Sequence, residues 1–548
     1  MLMKSNKSFV LGTSLAVTVV AVVCKILGFI REMSIASVFG TSSHVDAYIV
    51  ALSIPSLLIA TIAGAIGTVV IPQFIRKQVE EGREAALALA GTIWNVLLLF
   101  SIVIIIICEL LMPAIIHLVA PGFSGAVFNE TVYLARILMP TALFLCLLPT
   151  ARGILNSLQR YLLTASVELV LNIIIIMALL LLARHYGIKV VAIATLVGLV
   201  IQLSILWPNL RGYGFNPGLR IDRSIPELRT IIRLAVPVAI GSGLGSINLF
   251  VDRIMASGLP AGSVAALNYA NLIYAMPMVF IAPAVSIVLY TVLADMFARN
   301  DVRRVVYSVR QALSMFAYLG FPMAAGMYLL AMPLVQIIYQ RGAFQAEAVG
   351  ITAAILTMYV LGLPAYAWRE VCNRAFFAAG DTTTPLYTSI LAIGVNIVLI
   401  LVLVKILFAP GLALATAIAS WVGALSIMWA WNKKHKKTVR EGDLRPFDRP
   451  FWVEIGKILA STLVMAVAAG RVWDNLQVPL DAALHDVRSG SALFTLINLQ
   501  YFAGAVLAGV VVYVLCTGLL KSDNFAYLWA SGKQLRARIR TKIGSRKA

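Results

Sequence analysis

Apolar runs of about twenty residues recur along the whole chain and constrain its fold more than any other feature. A helix of about twenty residues crosses the roughly 30 Å hydrocarbon core of a bilayer. Helices satisfy their backbone hydrogen bonds internally, so runs of this length favour membrane-spanning helices. Because 61% of the 548 residues are hydrophobic and 12% are charged, the sequence predicts an all-α polytopic membrane protein.

We place about fourteen transmembrane helices on these runs. The first run is interpreted as a retained helix, since it is longer than the apolar part of a signal peptide, about 7–15 residues. The predicted spans are 9–30, 46–74, 89–118, 131–156, 161–183, 187–208, 229–255, 263–294, 308–338, 347–377, 385–406, 410–432, 452–471 and 494–519.

Positive charges lie mainly in alternate connections. The connections 209–228 and 433–437 and the tail 521–548 are basic, whereas 120–130 and 257–263 contain neither Lys nor Arg. Basic connections stay on the cytoplasmic side, so both termini are predicted to be cytoplasmic. This distribution explains the net charge of +20 without nucleic-acid binding. The basic tail is interpreted as a solvated segment that sets the orientation, and contact between the tail and anionic membrane lipids is the alternative.

A displacement of 222 residues aligns two stretches of the chain. Arg31 then aligns with Arg253, and Pro55 aligns with Pro277. Six predicted spans separate the copies, which is typical of a parallel repeat with its axis along the membrane normal. We therefore predict two lobes that alternate access to a central site.

The predicted segments are an N-terminal six-helix lobe 1–208, a basic cytoplasmic linker 209–228, a C-terminal six-helix lobe 229–434, a basic cytoplasmic loop 435–451, two extra helices 452–520 and a basic cytoplasmic tail 521–548.

Basic side chains inside the spans are the first candidate site residues. A charge at the bilayer centre costs about 2.5–3.5 kcal/mol and needs a partner or a watery cavity. Lys25 and Arg31 in the first span, with Arg253 at the matching repeat position, are predicted to bind a phosphate or pyrophosphate. The alternative is that these side chains extend to the interface or form salt bridges.

Acidic side chains inside the spans form a second group. Glu32, Asp46 and Asp252 are predicted to gate the site or to form ion pairs, and Asp46 alternatively caps the second span. Glu109 and Glu168 lie deeper and are predicted to bind a coupling cation or a proton. A structural Glu–Arg pair is an equally good interpretation of either residue.

The sequence carries no enzyme signature, such as a Walker loop or HExxH. We predict that the protein is not an enzyme and needs no cofactor. The five Cys lie in apolar segments without metal-ligand spacing, so no metal site is expected. Transport would then use the membrane potential, a monovalent cation gradient or the gradient of the substrate itself.

Several motifs resemble one transporter family in order and spacing. They are KILGFIRE (25–32), FGTSSHVDAYIVALSIPSLL (39–58), GILNSLQRY (153–161), QRGAF (340–344) and AFFAAGDTTTPL (375–386). Together they resemble the MurJ/MviN lipid II flippase family of the MOP exporter superfamily, over nearly the whole chain. The resemblance implies two six-helix lobes followed by a further helix pair.

The resemblance also implies a substrate and a location. The substrate is lipid II, the undecaprenyl-pyrophosphate-linked precursor of peptidoglycan, which moves from the inner to the outer leaflet of the bacterial cytoplasmic membrane. A monomer suffices, because the cavity is internal. The family's important first-helix residues carry over to Lys25, where Arg is more usual, and to Arg31 and Glu32; its acidic residue in the next motif carries over to Asp46.

The chain departs from the family pattern at two places. The stretches 59–64 and 270–275 contain no arginine, although the family has cavity arginines there. Three alternative functions therefore stay open: a flippase for another polyprenyl-linked oligosaccharide, a MATE-like drug or cation antiporter, and a non-transporting scaffold for envelope enzymes.

Overall fold

The structure is a computed structural model. It describes residues 2–218, 226–283, 289–435, 447–484, 487, 491–530 and 533. Across these ranges the regular secondary structure is helical, and they contain no β-strand. The predicted all-α class is therefore confirmed.

The chain divides into two compact units. The first comprises Met1–Ala265 and Gly342–Phe344. Its helices are α1 (Leu2–Phe39), α2 (Ser43–Ala65), a π-helix (Ile66–Val70), α3 (Ile71–Glu80), α4 (Arg83–Val119), α5 (Gly125–Leu138), α6 (Thr141–Ser157), α7 (Tyr161–Tyr186), α8 (Lys189–Gly212) and α9 (Pro226–Ser257).

The second unit comprises Ala266–Arg341 and Gln345–Ala548. Its helices are α10 (Ser263–Pro283), which begins in the first unit, α11 (Tyr290–Ala298), α12 (Val302–Leu329), α13 (Ala331–Tyr339), α14 (Ala346–Val360), α15 (Leu363–Ala378), α16 (Thr383–Leu407), α17 (Ala409–His435), α18 (Arg449–Leu484) and α19 (Ala492–Leu519). The lobe boundaries inferred from the sequence repeat stay a prediction.

Nine helical segments in the described ranges are long and apolar enough to cross a membrane, or ten if α14 and α15, bent by 42°, form one span. The other four predicted spans lie on α1, on α2 with the π-helix and α3, on α9, and on α10 with α11. Large apolar side chains such as Leu180 and Leu507 are 67% and 64% exposed. Such an outward apolar surface suits contact with lipid, and the polytopic membrane fold is confirmed.

Polar side chains cap the start of two of these helices, α12 and α19. The Asp301 side chain accepts a hydrogen bond from the backbone N–H of Arg304 at 3.1 Å, at the start of α12. Ser491 does the same for the N–H of Phe494 at 3.1 Å, at the start of α19. These side chains satisfy N–H groups that have no partner within the helix.

The core of the second unit is aromatic. Trp431 and Phe376 are fully buried, with ring centroids 5.3 Å apart in an edge-to-face arrangement. The last helix, α19, makes polar contacts within this unit as well: Tyr513 donates to the carbonyl oxygen of Tyr318 at 2.8 Å, and the Tyr318 hydroxyl lies 3.1 Å from the Thr517 hydroxyl. Hydrogen bonds of this kind fix the register of packed membrane helices.

Candidate functional site

Arg31 lies in a hydrogen-bonded cluster between α1 and α7. Its Nε and Nη2 atoms donate to Glu32 Oε1 at 3.2 and 2.6 Å, and its Nη1 donates to Asn172 Oδ1 at 3.1 Å. The side chains of Arg31 and Glu32 are 26% and 17% exposed. The guanidinium is therefore oriented by an acid on its own helix and by an amide on another.

Lys25 lies six residues before Arg31 on the same helix. α1 continues through Gly28 without a break, and a Cβ atom added to Gly28 would lie 3.8 Å from Asn172 Oδ1. The small residue thus allows α7 to approach α1. Lys25 is exposed, and its predicted role in binding a pyrophosphate stays a prediction.

Asp46 stabilises the start of α10. Its carboxylate, on a residue that is 3% exposed, accepts hydrogen bonds from the backbone N–H groups of Gly262 at 2.5 Å and Ala265 at 2.7 Å. A carboxylate at a helix N-terminus satisfies free N–H groups and interacts favourably with the helix dipole. Asp46 therefore caps a helix more than two hundred residues away in sequence, rather than the second span.

Arg253 and Asp252 lie side by side on α9. The charge of Arg253 acts on the carboxylates of both Asp46 and Asp252. Asp252 Oδ1 is buried and accepts no hydrogen bond from the described part of the chain. Two of the three predicted cations, Arg31 and Arg253, thus have acidic neighbours, as the alternative interpretation anticipated; the anion-binding role of these cations stays a prediction.

The two deeper acids each have an arginine partner. Glu168 Oε1 lies 2.6 Å from Arg152 Nη1, and Glu109 Oε2 lies 3.8 Å from Arg136 Nε. Arg152 also donates to Gln202 Oε1 at 3.1 Å. These are the structural Glu–Arg pairs that the sequence left open, and binding of a coupling ion stays a prediction for both acids.

Two neutral residues in these contacts were missed by the sequence analysis. Asn172 and Gln202 are 7% and 2% exposed and bind the guanidinium groups of Arg31 and Arg152. In the sequence, each appears as a single amide side chain within an apolar run. Burial of an amide costs free energy unless it is hydrogen-bonded, so such a residue indicates a polar partner. Among the described residues, no group of three or more His, Cys, Asp or Glu side chains is placed to hold a metal ion.

These features define a class of protein. Long apolar helices with ion pairs and amides between them are typical of polytopic membrane transporters, since intramembrane charges usually mark a substrate or ion pathway. Solved structures agree with this fold. A lipid II flippase MurJ in an inward closed conformation matches with a TM-score of 0.74 and 24% identity, covering 93% of this chain and 99% of that one.

A second solved structure is more distant. An inward-facing MATE-family multidrug resistance transporter of the MOP superfamily matches with a TM-score of 0.62 and 16% identity, covering 76% of this chain and 96% of that one. At these identities, both likenesses concern the fold alone.

The sequence comparisons identify the family. The family model described as lipid II flippase MurJ matches residues 35–478. A probable lipid II flippase MurJ of Rhizobium tropici is 31% identical over 428 residues, which cover 74% of this chain and 80% of that protein. The chain belongs to the lipid II flippase MurJ family, and it is a multi-pass protein of the bacterial inner membrane.

Proposed function

We propose that this chain is a flippase that moves lipid II from the inner to the outer leaflet of the bacterial cytoplasmic membrane. The observation that carries the proposal is the family match over residues 35–478. The activity is transport by alternating access, without a chemical reaction on the substrate. The proposed working form is a monomer with both termini in the cytoplasm.

The Arg31 cluster gives this proposal a physical mechanism. An arginine presents a planar fork of donors that suits phosphate oxygens. Because Arg31 is already bound to Glu32 and Asn172, an arriving pyrophosphate has to compete with Glu32 for the guanidinium. Binding would then release Glu32, and loss of the pyrophosphate would let the pair form again. Energy for a full cycle is proposed to come from the membrane potential or a monovalent cation.

The proposal is tested by complementation of a bacterium depleted of its own flippase. The unsubstituted chain should restore growth and should return lipid II to the outer leaflet, where an impermeant reagent can reach it. Arg31→Ala should abolish both at a normal protein level. Arg299→Ala is the matched control, because this arginine pairs with Asp295 in an exposed contact at 2.9 Å and should rescue fully.

Two outcomes would count against the proposal. If the unsubstituted protein reaches the membrane intact but leaves lipid II unreactive to the reagent, lipid II is not its substrate. If the Arg31→Ala variant rescues as well as the Arg299→Ala control, Arg31 has no part in transport.

A further inference from the structure

A second group of cations lies outside the predicted site. Arg83 begins α4, Arg160 precedes α7 and Arg211 lies in the last turn of α8. The side chains of Tyr213 and Trp207 contact these arginines. We refer to these five residues as the arginine–aromatic cluster; the basic-loop pattern predicts that they lie on the cytoplasmic side.

Two guanidinium groups contact the same tyrosine. The Cζ atoms of Arg83 and Arg160 lie 5.3 and 5.5 Å from the centroid of the Tyr213 ring. Arg160 Nε donates to the Tyr213 hydroxyl at 2.6 Å, and Arg83 Nη2 donates to the Tyr213 carbonyl oxygen. Arg211 Cζ lies 5.5 Å from the ring of Trp207. Cation–π contacts and hydrogen bonds thus hold two guanidinium groups, those of Arg83 and Arg160, on the Tyr213 ring, and a third, that of Arg211, on the Trp207 ring of the same segment.

The segment that carries Tyr213 is firmly attached to α4. The ring of Trp207 lies 5.8 Å from that of Trp94 and 6.4 Å from that of Phe215, which is 1% exposed. Asn95 Nδ2 donates to the carbonyl oxygen of Pro217 at 2.9 Å. The aromatic rings are therefore a fixed platform, and the arginines that rest on them are preorganised.

No carboxylate within the described ranges forms an ion pair with Arg83, Arg160 or Arg211. Other exposed arginines do form such pairs: Arg76 with Glu80 at 2.9 Å, for example. Like charges that are held together repel each other. An anion that binds the guanidinium groups of Arg83 and Arg160 at Tyr213 would reduce this repulsion.

The position of the cluster favours a lipid as the source of that anion. Tyr161 and Leu162, directly after Arg160, are 43% and 49% exposed, and Ile205 on α8 is 37% exposed. The cations therefore lie where an outward apolar surface begins. This is the boundary at which phospholipid phosphates lie above their acyl chains, and where Tyr, Trp and Arg are enriched.

We propose that the arginine–aromatic cluster binds the phosphate of an anionic phospholipid. The guanidinium groups donate to the phosphate oxygens, and the acyl chains lie along the exposed apolar surface of α7 and α8. Because the cluster shares no residue with the Arg31 cluster, this site does not depend on the proposed flippase function.

The test is a lipid titration of the full-length protein in detergent. The probe is a fluorescent short-chain phosphatidylglycerol, with phosphatidylcholine as the neutral comparison. A basic residue near an anionic surface contributes a factor of about five in affinity, so the double variant Arg83→Gln and Arg160→Gln should bind phosphatidylglycerol about 25-fold more weakly. Its binding of phosphatidylcholine should not change.

The matched control is the double variant Arg76→Gln and Arg299→Gln. This variant removes the same charge from the predicted cytoplasmic side, but from arginines that already pair with Glu80 and Asp295. Its affinity for phosphatidylglycerol should stay within about twofold of that of the unsubstituted protein. An equal loss of affinity for phosphatidylglycerol in both double variants would show a general effect of net charge and would overturn the proposal.

Two further measurements keep the proposal testable. Inorganic phosphate that competes as strongly as phosphatidylglycerol would indicate a site for free anions, and the lipid assignment would be wrong. Tyr213→Phe retains the ring but removes the hydroxyl that accepts from Arg160. It should fold normally and bind phosphatidylglycerol about two- to fivefold more weakly, with no change for phosphatidylcholine. An unchanged affinity for phosphatidylglycerol would count against the site, even if the double variant is unstable.

Discussion

At the scale of single residues, Asp381 shows how one carboxylate fixes a connection between membrane helices. It lies between α15 and α16; Oδ1 accepts from the N–H of Thr384 at 3.0 Å, and Oδ2 accepts from Lys434 Nζ at 2.8 Å. Burial acts to raise the pKa of the Asp381 carboxyl, but the hydrogen bonds from Lys434 and Thr384 outweigh it and hold the pKa well below its usual range.

Because the pKa of Asp381 is lower in the folded protein, the contribution of this residue to stability depends on pH. The folded protein binds the Asp381 proton more weakly than the unfolded chain does. The stabilising contribution is therefore complete above the usual pKa of about 3.9 and is lost as the pH falls through the lower pKa of the folded state. Replacement of the Asp381 side chain should therefore lower the free energy of unfolding most near neutral pH.

We predict that Asp381→Ala lowers the free energy of unfolding by about 1–2 kcal/mol at neutral pH, because α16 loses an N-terminal acceptor and Lys434 loses its carboxylate. Unfolding in detergent, followed as the pH is lowered, should show this difference shrinking below about pH 4. Asp295→Ala, at an exposed pair, should cost less than about 0.5 kcal/mol. A difference that is the same at every pH would contradict the prediction.

Residue types in the candidate site were predictable, but their partners were not. A charge in an apolar run is visible in the sequence, and it marks Arg31 and Asp46 as candidate site residues. Their partners Asn172 and Gly262 lie 141 and 216 residues away. Such contacts depend on how helices pack, and a single sequence contains no measure of that packing.

At the scale of secondary-structure elements, the turn before α10 depends on a glycine. Gly262 has φ +88°, and an added Cβ atom would overlap the carbonyl oxygen of Thr41. The Gly262 N–H is also one of the two backbone N–H groups that donate a hydrogen bond to the Asp46 carboxylate. The left-handed backbone and the close approach both require the absence of a side chain.

We predict that Gly262→Ala destabilises the protein more than Gly125→Ala does. Gly125 also has a positive φ, of +55°, but a Cβ atom there would meet no atom of the described residues within 4 Å. Its replacement should therefore cost only the backbone strain, about 1–2 kcal/mol. Gly262→Ala adds a steric overlap and should show the larger fall in unfolding temperature; equal falls would mean that the turn relaxes without cost.

Helix identity was predictable, whereas breaks within spans were not. The predicted span 347–377 is two helices, α14 and α15, bent by 42°, and the predicted span 46–74 contains a π-helix at Ile66–Val70. A hydropathy window averages over about nineteen residues, so it detects an apolar segment but not a change of direction inside it.

At the scale of the whole molecule, charge distribution predicts the orientation in the membrane. Basic loops remain cytoplasmic because their translocation is unfavourable. The connection between α4 and α5 contains no Lys or Arg, whereas Lys433 and Lys434 lie at the end of α17. The α4–α5 connection should therefore face the outside of the cytoplasmic membrane, and the end of α17 should face the cytoplasm.

Cysteine labelling in intact cells tests this orientation. Ser124 and Lys433 are both exposed, so Ser124→Cys should react with an impermeant thiol reagent, and Lys433→Cys should react only after the membrane is opened. The unsubstituted protein is the control for the native thiols, of which Cys24, Cys108, Cys146 and Cys372 are buried. Labelling of Lys433→Cys, but not of Ser124→Cys, in intact cells would invert the proposed orientation. It would also place the arginine–aromatic cluster at the outer leaflet.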